Sequence, residues 1–311
     1  MLQKTEIRPA PPAARQLRAS DVALFMVVVL IWGFSWPAMR YQLGAVAPEV
    51  SGVWRFLMGA LILLAVAGLR GERFGLPAAV HLRLAVMGAT LFSFNFALFY
   101  YAAMYVGTGL LAVLFSLAAV INVALEAAVL RARVSGRVVL GGALGALGVA
   151  LLFYPEVAGT QLSSGALWGL ALAGIGTFLF CFGTMASVGL PKHRAPVFAA
   201  TGFGMLYGCA FLAALALVNG SAFTIETSAR YLISIGYLGV GSSALGYACY
   251  FPLLDRIGPA RAAYVTVVMP VIALAVATFT EGYRWSLAAA IGLLVVILGN
   301  VLVLSAPRPA R

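Results

Sequence analysis

Residues 84–125 contain no Asp, Glu, Lys or Arg, and neither do 22–39, 138–155, 157–191, 195–225, 231–254, 262–280 or 285–307. A helix crosses the hydrocarbon layer of a bilayer in about 20 mostly apolar residues. Each run is therefore one membrane span, except 84–125, which is two spans divided at Gly107-Thr108-Gly109. One more span is completed by 48–70, which draws Arg55 into the head of its helix. With 63% hydrophobic and 9% charged residues, no soluble core could hide these side chains. That excludes a cytosolic enzyme, a disulfide-built secreted domain and a disordered chain.

The expected fold class is all-α integral membrane, with ten transmembrane helices at 21–40, 48–70, 83–105, 109–130, 136–154, 164–188, 195–218, 230–253, 260–280 and 285–305. Basic residues collect on cytoplasmic loops. Placing the N-terminus inside puts 16 of the 20 Lys and Arg residues there and leaves Arg40, Arg55, Arg230 and Arg284 outside. An even number of spans brings both termini to the cytoplasm. Residues 1–20, rich in Pro, Ala and Arg, read as a cytoplasmic tail rather than a cleavable leader. The +11 charge is then a matter of orientation, not of nucleic acid. Trp36, Trp54, Trp168, Trp285, Tyr41, Tyr105, Tyr154, Tyr231 and Tyr283 fall at outer helix ends, where amphipathic rings anchor in headgroups. Trp32 sits near mid-depth.

The chain also repeats itself. At an offset of about 151 residues, Tyr105-Val106-Gly107-Thr108 recurs as Arg256-Ile257-Gly258-Pro259, Gly141 pairs with Gly292, and Gly148 with Gly299. The first copy occupies 21–154 and the second 164–305. Five helices per copy is an odd number, so the second copy enters the membrane from the opposite side. Inverted repeats of this kind build secondary transporters, with substrate near the midplane between the halves. Alternating access through a central cavity between the two repeats is the mechanism expected.

Ile31-Trp32-Gly33-Phe34-Ser35-Trp36-Pro37, Trp54-Arg55-Phe56 and the glycine-rich helices 5 and 10 ending in Leu298-Gly299-Asn300 resemble the drug/metabolite transporter superfamily, EamA type. Within it, the aromatic amino acid exporters of the YddG type are the members placed nearest. The resemblance implies a cavity lined by helices 3, 4, 8 and 9 with parts of 1 and 6, while 5 and 10 pack at the periphery. It also implies a small-molecule substrate, which in the superfamily includes amino acids, other metabolites, nucleotide sugars and toxic cations. Small multidrug relatives use an embedded Glu in the first helix, and residues 22–39 hold no acid. Phosphate-carrying relatives would place bases along helix 9, and none follows Arg261 before Arg284. Both gaps favour a zwitterion or a neutral solute at a midplane without strong charge.

Three faces combine rings with polar groups at helical spacing: Trp32, Ser35 and Trp36; Phe92, Asn95 and Phe99; Ser243, Tyr247 and Tyr250. Such mixed apolar faces suit a small-molecule site, although stripes of this kind more commonly serve packing. The expected substrate contacts are Trp32, Ser35, Asn95, Phe99, Ser243, Tyr247 and Thr266. Pro270 is expected to be a hinge at mid-depth in helix 9 without a counterpart at Ala119. Glu126 either pairs with Arg131 at the inner rim or acts as a gate or proton carrier. Arg55 reads first as a snorkelling base at the outer headgroups, with a substrate carboxylate as the alternative. The expected protein is an exporter of amino acids, large apolar or aromatic ones first, in the cell inner membrane. Its alternative is an exporter of lipophilic cations or another small metabolite. It needs no cofactor or metal, and a monomer embedded in the lipid bilayer suffices. HExxH, GxSxG and paired intramembrane aspartates are missing, which argues against an embedded enzyme.

Overall fold

The computed structural model describes residues 18–44, 46–129, 135–158, 164–187, 195–257, 262 and 264–305. All regular structure among them is helical, because backbone amides in a bilayer must be satisfied within their own segment. The helices are α1 (Ala19–Arg40), α2 (Pro48–Leu69), α3 (Ala78–Ala102), α4 (Thr108–Phe115, resumed as Ala118–Val129), α5 (Gly136–Ala158) and α6 (Ser164–Ser187). They continue as α7 (Val197–Val218), α8 (Ala229–Leu253, extended to Ile257), α9 (Val265–Thr280) and α10 (Leu287–Leu304). Nine are long and apolar enough to cross a membrane, and α9 is a shorter apolar helix. The protein is a ten-helix integral membrane protein.

Local chemistry sets the ends. Ser228 and Ser286 cap α8 and α10 by accepting the Tyr231 and Ala289 amides. Gly71 and Gly220 follow α2 and α7 at φ +68°, a left-handed closing turn that favours glycine.

Packing reproduces the repeat. α2 packs on α7, α4 on α9 and α5 on α10, so each of these helices meets its own repeat mate. Three further contacts come in mirrored pairs: α1–α9 with α6–α4, α3–α7 with α8–α2, and α3–α6 with α8–α1. A Cβ on Gly141 would meet the Gly299 carbonyl oxygen at 2.6 Å, and one on Gly148 the Gly292 oxygen at 2.6 Å. A two-fold relation at the offset of 151 exchanges those two contacts. Two five-helix repeats related in this way necessarily run antiparallel through the membrane.

The repeats also share an irregularity. α3 is π-helical over Thr90–Phe94 and α8 over Tyr237–Leu245, so 241–245 is the repeat mate of the first segment. π turns leave backbone groups unpaired and often sit at functional positions. Trp32 uses one of these openings by donating its indole Nε1–H to the Ser242 carbonyl at 3.1 Å.

Two expectations need correction. Trp36 and Tyr231 are not headgroup anchors: Trp36 packs on Phe99 and Phe115, and Tyr231 is fully buried against Ser51. Trp168, Trp285, Tyr105 and Tyr154 do lie exposed on the helix surface. Pro270 lies buried inside α9. The first repeat has its own interruption, at Ser116–Leu117 in α4, where the Ser116 hydroxyl donates to the Val113 carbonyl at 2.6 Å.

Candidate substrate site

Arg55 lies at the centre of the bundle. It stands on α2, two turns in, and is 4% exposed. The side chain runs inward instead of snorkelling. Its Nε donates to Ser243 Oγ at 3.1 Å and its Nη2 to Ser242 Oγ at 3.2 Å, both in the π segment of α8. The guanidinium lies over Phe96 at 4.5 Å and Phe56 at 5.1 Å. Among the described residues no carboxylate pairs with it. The interior of the bundle therefore carries a buried positive charge, which composition did not lead us to expect. A buried unpaired cation is costly. Cation–π contacts return about 2 kcal/mol when desolvated, and two serine hydroxyls offset a little more.

Rings enclose this charge. Trp32 meets Tyr247 at 5.3 Å and Tyr250 at 5.0 Å between centroids, and Tyr247 meets Phe92 at 5.4 Å. Phe92 in turn touches Phe56, so Trp32, Tyr247, Phe92, Phe56 and Phe96 form one aromatic wall around Arg55. Phe99 belongs to a neighbouring cluster with Trp36 and Phe115. The π turn separates the two clusters, so Phe92 and Phe99 do not serve a single face as simple helical spacing suggested.

Asn95 is one of several buried polar groups with an unpartnered atom, with Gln42, Ser93, Asn122, Ser135 and Asn300. It is 1% exposed, and both its amide oxygen and its amide nitrogen lack a hydrogen-bond partner. Its backbone lies against α6, where a Cβ on Gly176 would stand 3.1 Å from the Asn95 carbonyl. A buried amide with no partner costs about 1–3 kcal/mol. Ser243 is fully buried and accepts from Arg55. Ser35 instead donates to its own helix at the Trp32 carbonyl, 2.6 Å away. Thr266 is half-buried near the start of α9. Glu126 belongs to α4, and its side chain lies outside the described residues.

Polar latches gather at one end of the bundle, where α3, α7 and α9 finish and α2, α4 and α8 begin. Glu49 on α2 accepts from Asn219 (3.0 Å) and Ser221 (2.7 Å) with one oxygen, and from Tyr101 on α3 (2.7 Å) with the other. Glu281 after α9 accepts the Thr108 amide of α4 at 3.0 Å. Gln42 accepts from Tyr100, Arg40 donates to the Ala103 carbonyl, and Ser51 bonds Tyr231 at 3.0 Å. At the opposite end lies a half-open cavity of about 360 Å³, lined by Arg70, Glu72, Val197, Phe198, Phe251, Pro252 and Arg256. Sequence reasoning missed Glu49, although an acid in the first turn of a membrane helix is itself a signal.

The EamA-like transporter family model matches residues 20–154 and 167–305. The chain belongs to that family. It is a membrane transporter rather than an enzyme, and it handles a small-molecule solute. The curated relatives it resembles include an uncharacterized transporter of Clostridium kluyveri, 24% identical and covering 88% of both chains. Protein PagO of Salmonella typhimurium is 25% identical over 93% of this chain and 94% of its own. The uncharacterized inner membrane transporter YedA of Escherichia coli K12 is 27% identical over 93% and 92%. One solved crystal structure superposes with a TM-score of 0.67 at 18% identity, covering 92% of this chain and 96% of its own, which shows the common fold.

Proposed function

We propose that this transporter exports amino acids with large apolar or aromatic side chains across the cell inner membrane. The observation that carries the reading is Arg55, a buried guanidinium without a carboxylate partner among the described residues, inside a wall of rings. A substrate carboxylate supplies the missing charge. Trp32, Phe92 and Tyr247 take the side chain, and the unpartnered Asn95 amide offers its oxygen to the ammonium group. The same cation opposes the alternative reading, because a lipophilic cation entering this wall meets a positive charge and no acid.

Alternating access follows from the two ends. Glu49 and Glu281 close one end, while the cavity beside Arg70 opens the other. Under the charge-derived orientation, with both termini cytoplasmic, the closed end faces outside and the open end receives solute from the cytosol. A cysteine at Thr227, exposed in the loop before α8 at that same end, should then react with an impermeant thiol reagent in intact cells, and labelling only after lysis overturns the orientation.

Transport itself is tested in proteoliposomes. Labelled phenylalanine should move down its own gradient with saturation and without an imposed proton gradient. Movement of a lipophilic cation with no amino acid flux would replace this reading with that of a multidrug exporter.

A further inference from the structure

The half-open cavity at the mouth is separate from the Arg55 site. Two turns of α8 lie between them, and the Phe251 ring divides them: it lines the cavity on one side and meets Tyr247 at 5.7 Å on the other. At about 360 Å³ the cavity falls within the usual size of small-ligand sites, about 300–1,000 Å³. Its floor is apolar, from Val197, Phe198, Phe251 and Pro252, and its rim carries three charges.

Those charges are arranged for a molecule bearing both signs. Arg70 lies over the Phe198 ring at 5.1 Å, which fixes its plane at the rim. Arg256 faces it from α8 and is shared with Asp21 of α1 at 3.7 Å, a long contact that leaves the guanidinium half exposed. Glu72 holds the first turn of α7 by accepting the Ala199 amide at 2.8 Å with one oxygen, and it lines the same cavity. Two arginines capture a carboxylate in planar, bidentate geometry. A carboxylate beside them attracts an ammonium group and repels a second anion. The ring floor accepts an apolar side chain.

We infer that this vestibule is a second, loading site for the same class of solute, an apolar amino acid zwitterion, which binds here before passing Phe251 and Tyr247 to Arg55. The inference rests on the amino acid reading for its ligand and goes beyond it in assigning a separate site and a basis for choosing zwitterions over plain carboxylates. Focused positive charge at a cleft with low-dielectric walls raises the local concentration of a carboxylate-bearing solute. Because the arginines stay partly in water, binding is weak and exchange rapid, as a loading step requires.

The test uses full-length protein carrying Cys249→Ser and Val197→Cys, so that a thiol reagent reports on the cavity. Phenylalanine at twice its dissociation constant should slow labelling about threefold by mass action. That protection should persist when Arg55→Gln is added, since the central site is then disabled. Phenethylamine, which has no carboxylate, should not protect, and phenylpropionate should protect less well than phenylalanine. Glu72→Gln, which keeps an acceptor for Ala199, should raise phenylpropionate to the level of phenylalanine. Arg70→Gln with Arg256→Gln should abolish protection. Protection that vanishes with Arg55→Gln, or survives loss of both arginines, overturns the vestibule. Phenylalanine flux of the unaltered protein is measured beside it: absent flux with protection retained removes the export reading alone.

Discussion

Arg55→Gln is expected to lower phenylalanine flux about 100-fold while leaving the folded protein at least as stable as before. Removing one member of a buried charge pair costs about 2–5 kcal/mol, and about 2.8 kcal/mol, in the lower half of that range, corresponds to two orders of magnitude in binding. The stability side has the opposite sign. Without substrate the guanidinium is buried at 4% exposure with no carboxylate partner among the described residues, which is a cost that folding must offset. Glutamine keeps a donor for Ser243 and carries no charge. Its melting temperature in detergent should therefore hold or rise. Arg55→Lys should restore little, because an ammonium can neither hold both Ser242 and Ser243 nor lie flat between Phe56 and Phe96. If flux falls only in proportion to a lower melting temperature, Arg55 is a structural strut and the carboxylate reading fails.

Apolar spacing alone brought out the helices, their number and the repeat, since length and hydropathy are properties of the chain itself. Depth was harder to read. Arg55 near the start of a span looks in sequence like a snorkelling base, and only packing reveals that α8 turns two serines toward it. Those serines depend on the π segment of α8, which re-aims side chains by a fraction of a turn. Regular 3.6-residue spacing therefore grouped Phe92 with Phe99, which the structure separates. Asn95 was legible because an amide inside a membrane helix needs a partner. The Glu49 latch was not, because its partners come from α3 and from the end of α7, far away in sequence.

The glycine contact between α5 and α10 should be the most sensitive point of the fold. A Cβ on Gly148 would stand 2.6 Å from the Gly292 carbonyl oxygen and 2.7 Å from the Val296 amide nitrogen. One on Gly299 would stand 2.6 Å from the Gly141 oxygen and 2.7 Å from the Gly145 nitrogen. These are backbone atoms, which cannot rotate away as a side chain would. The two helices must separate, and the close packing that drives helix association in lipid is lost along the whole contact. Gly148→Val and Gly299→Val should each destabilise the protein by about 2–3 kcal/mol, at the upper part of the range for overpacking. As repeat mates they should do so to a similar extent. The double variant should lose less than twice as much, because helices already separated have little more to lose. Gly174→Ala provides the control: nothing lies within 4 Å of its Cβ, so alanine there should be neutral or slightly stabilising through better helix propensity. Thermal melts of the purified variants decide the matter. Gly148→Val melting at the temperature of Gly174→Ala would show that the helices are not held at this distance, and the glycine contact would no longer account for the α5–α10 pair.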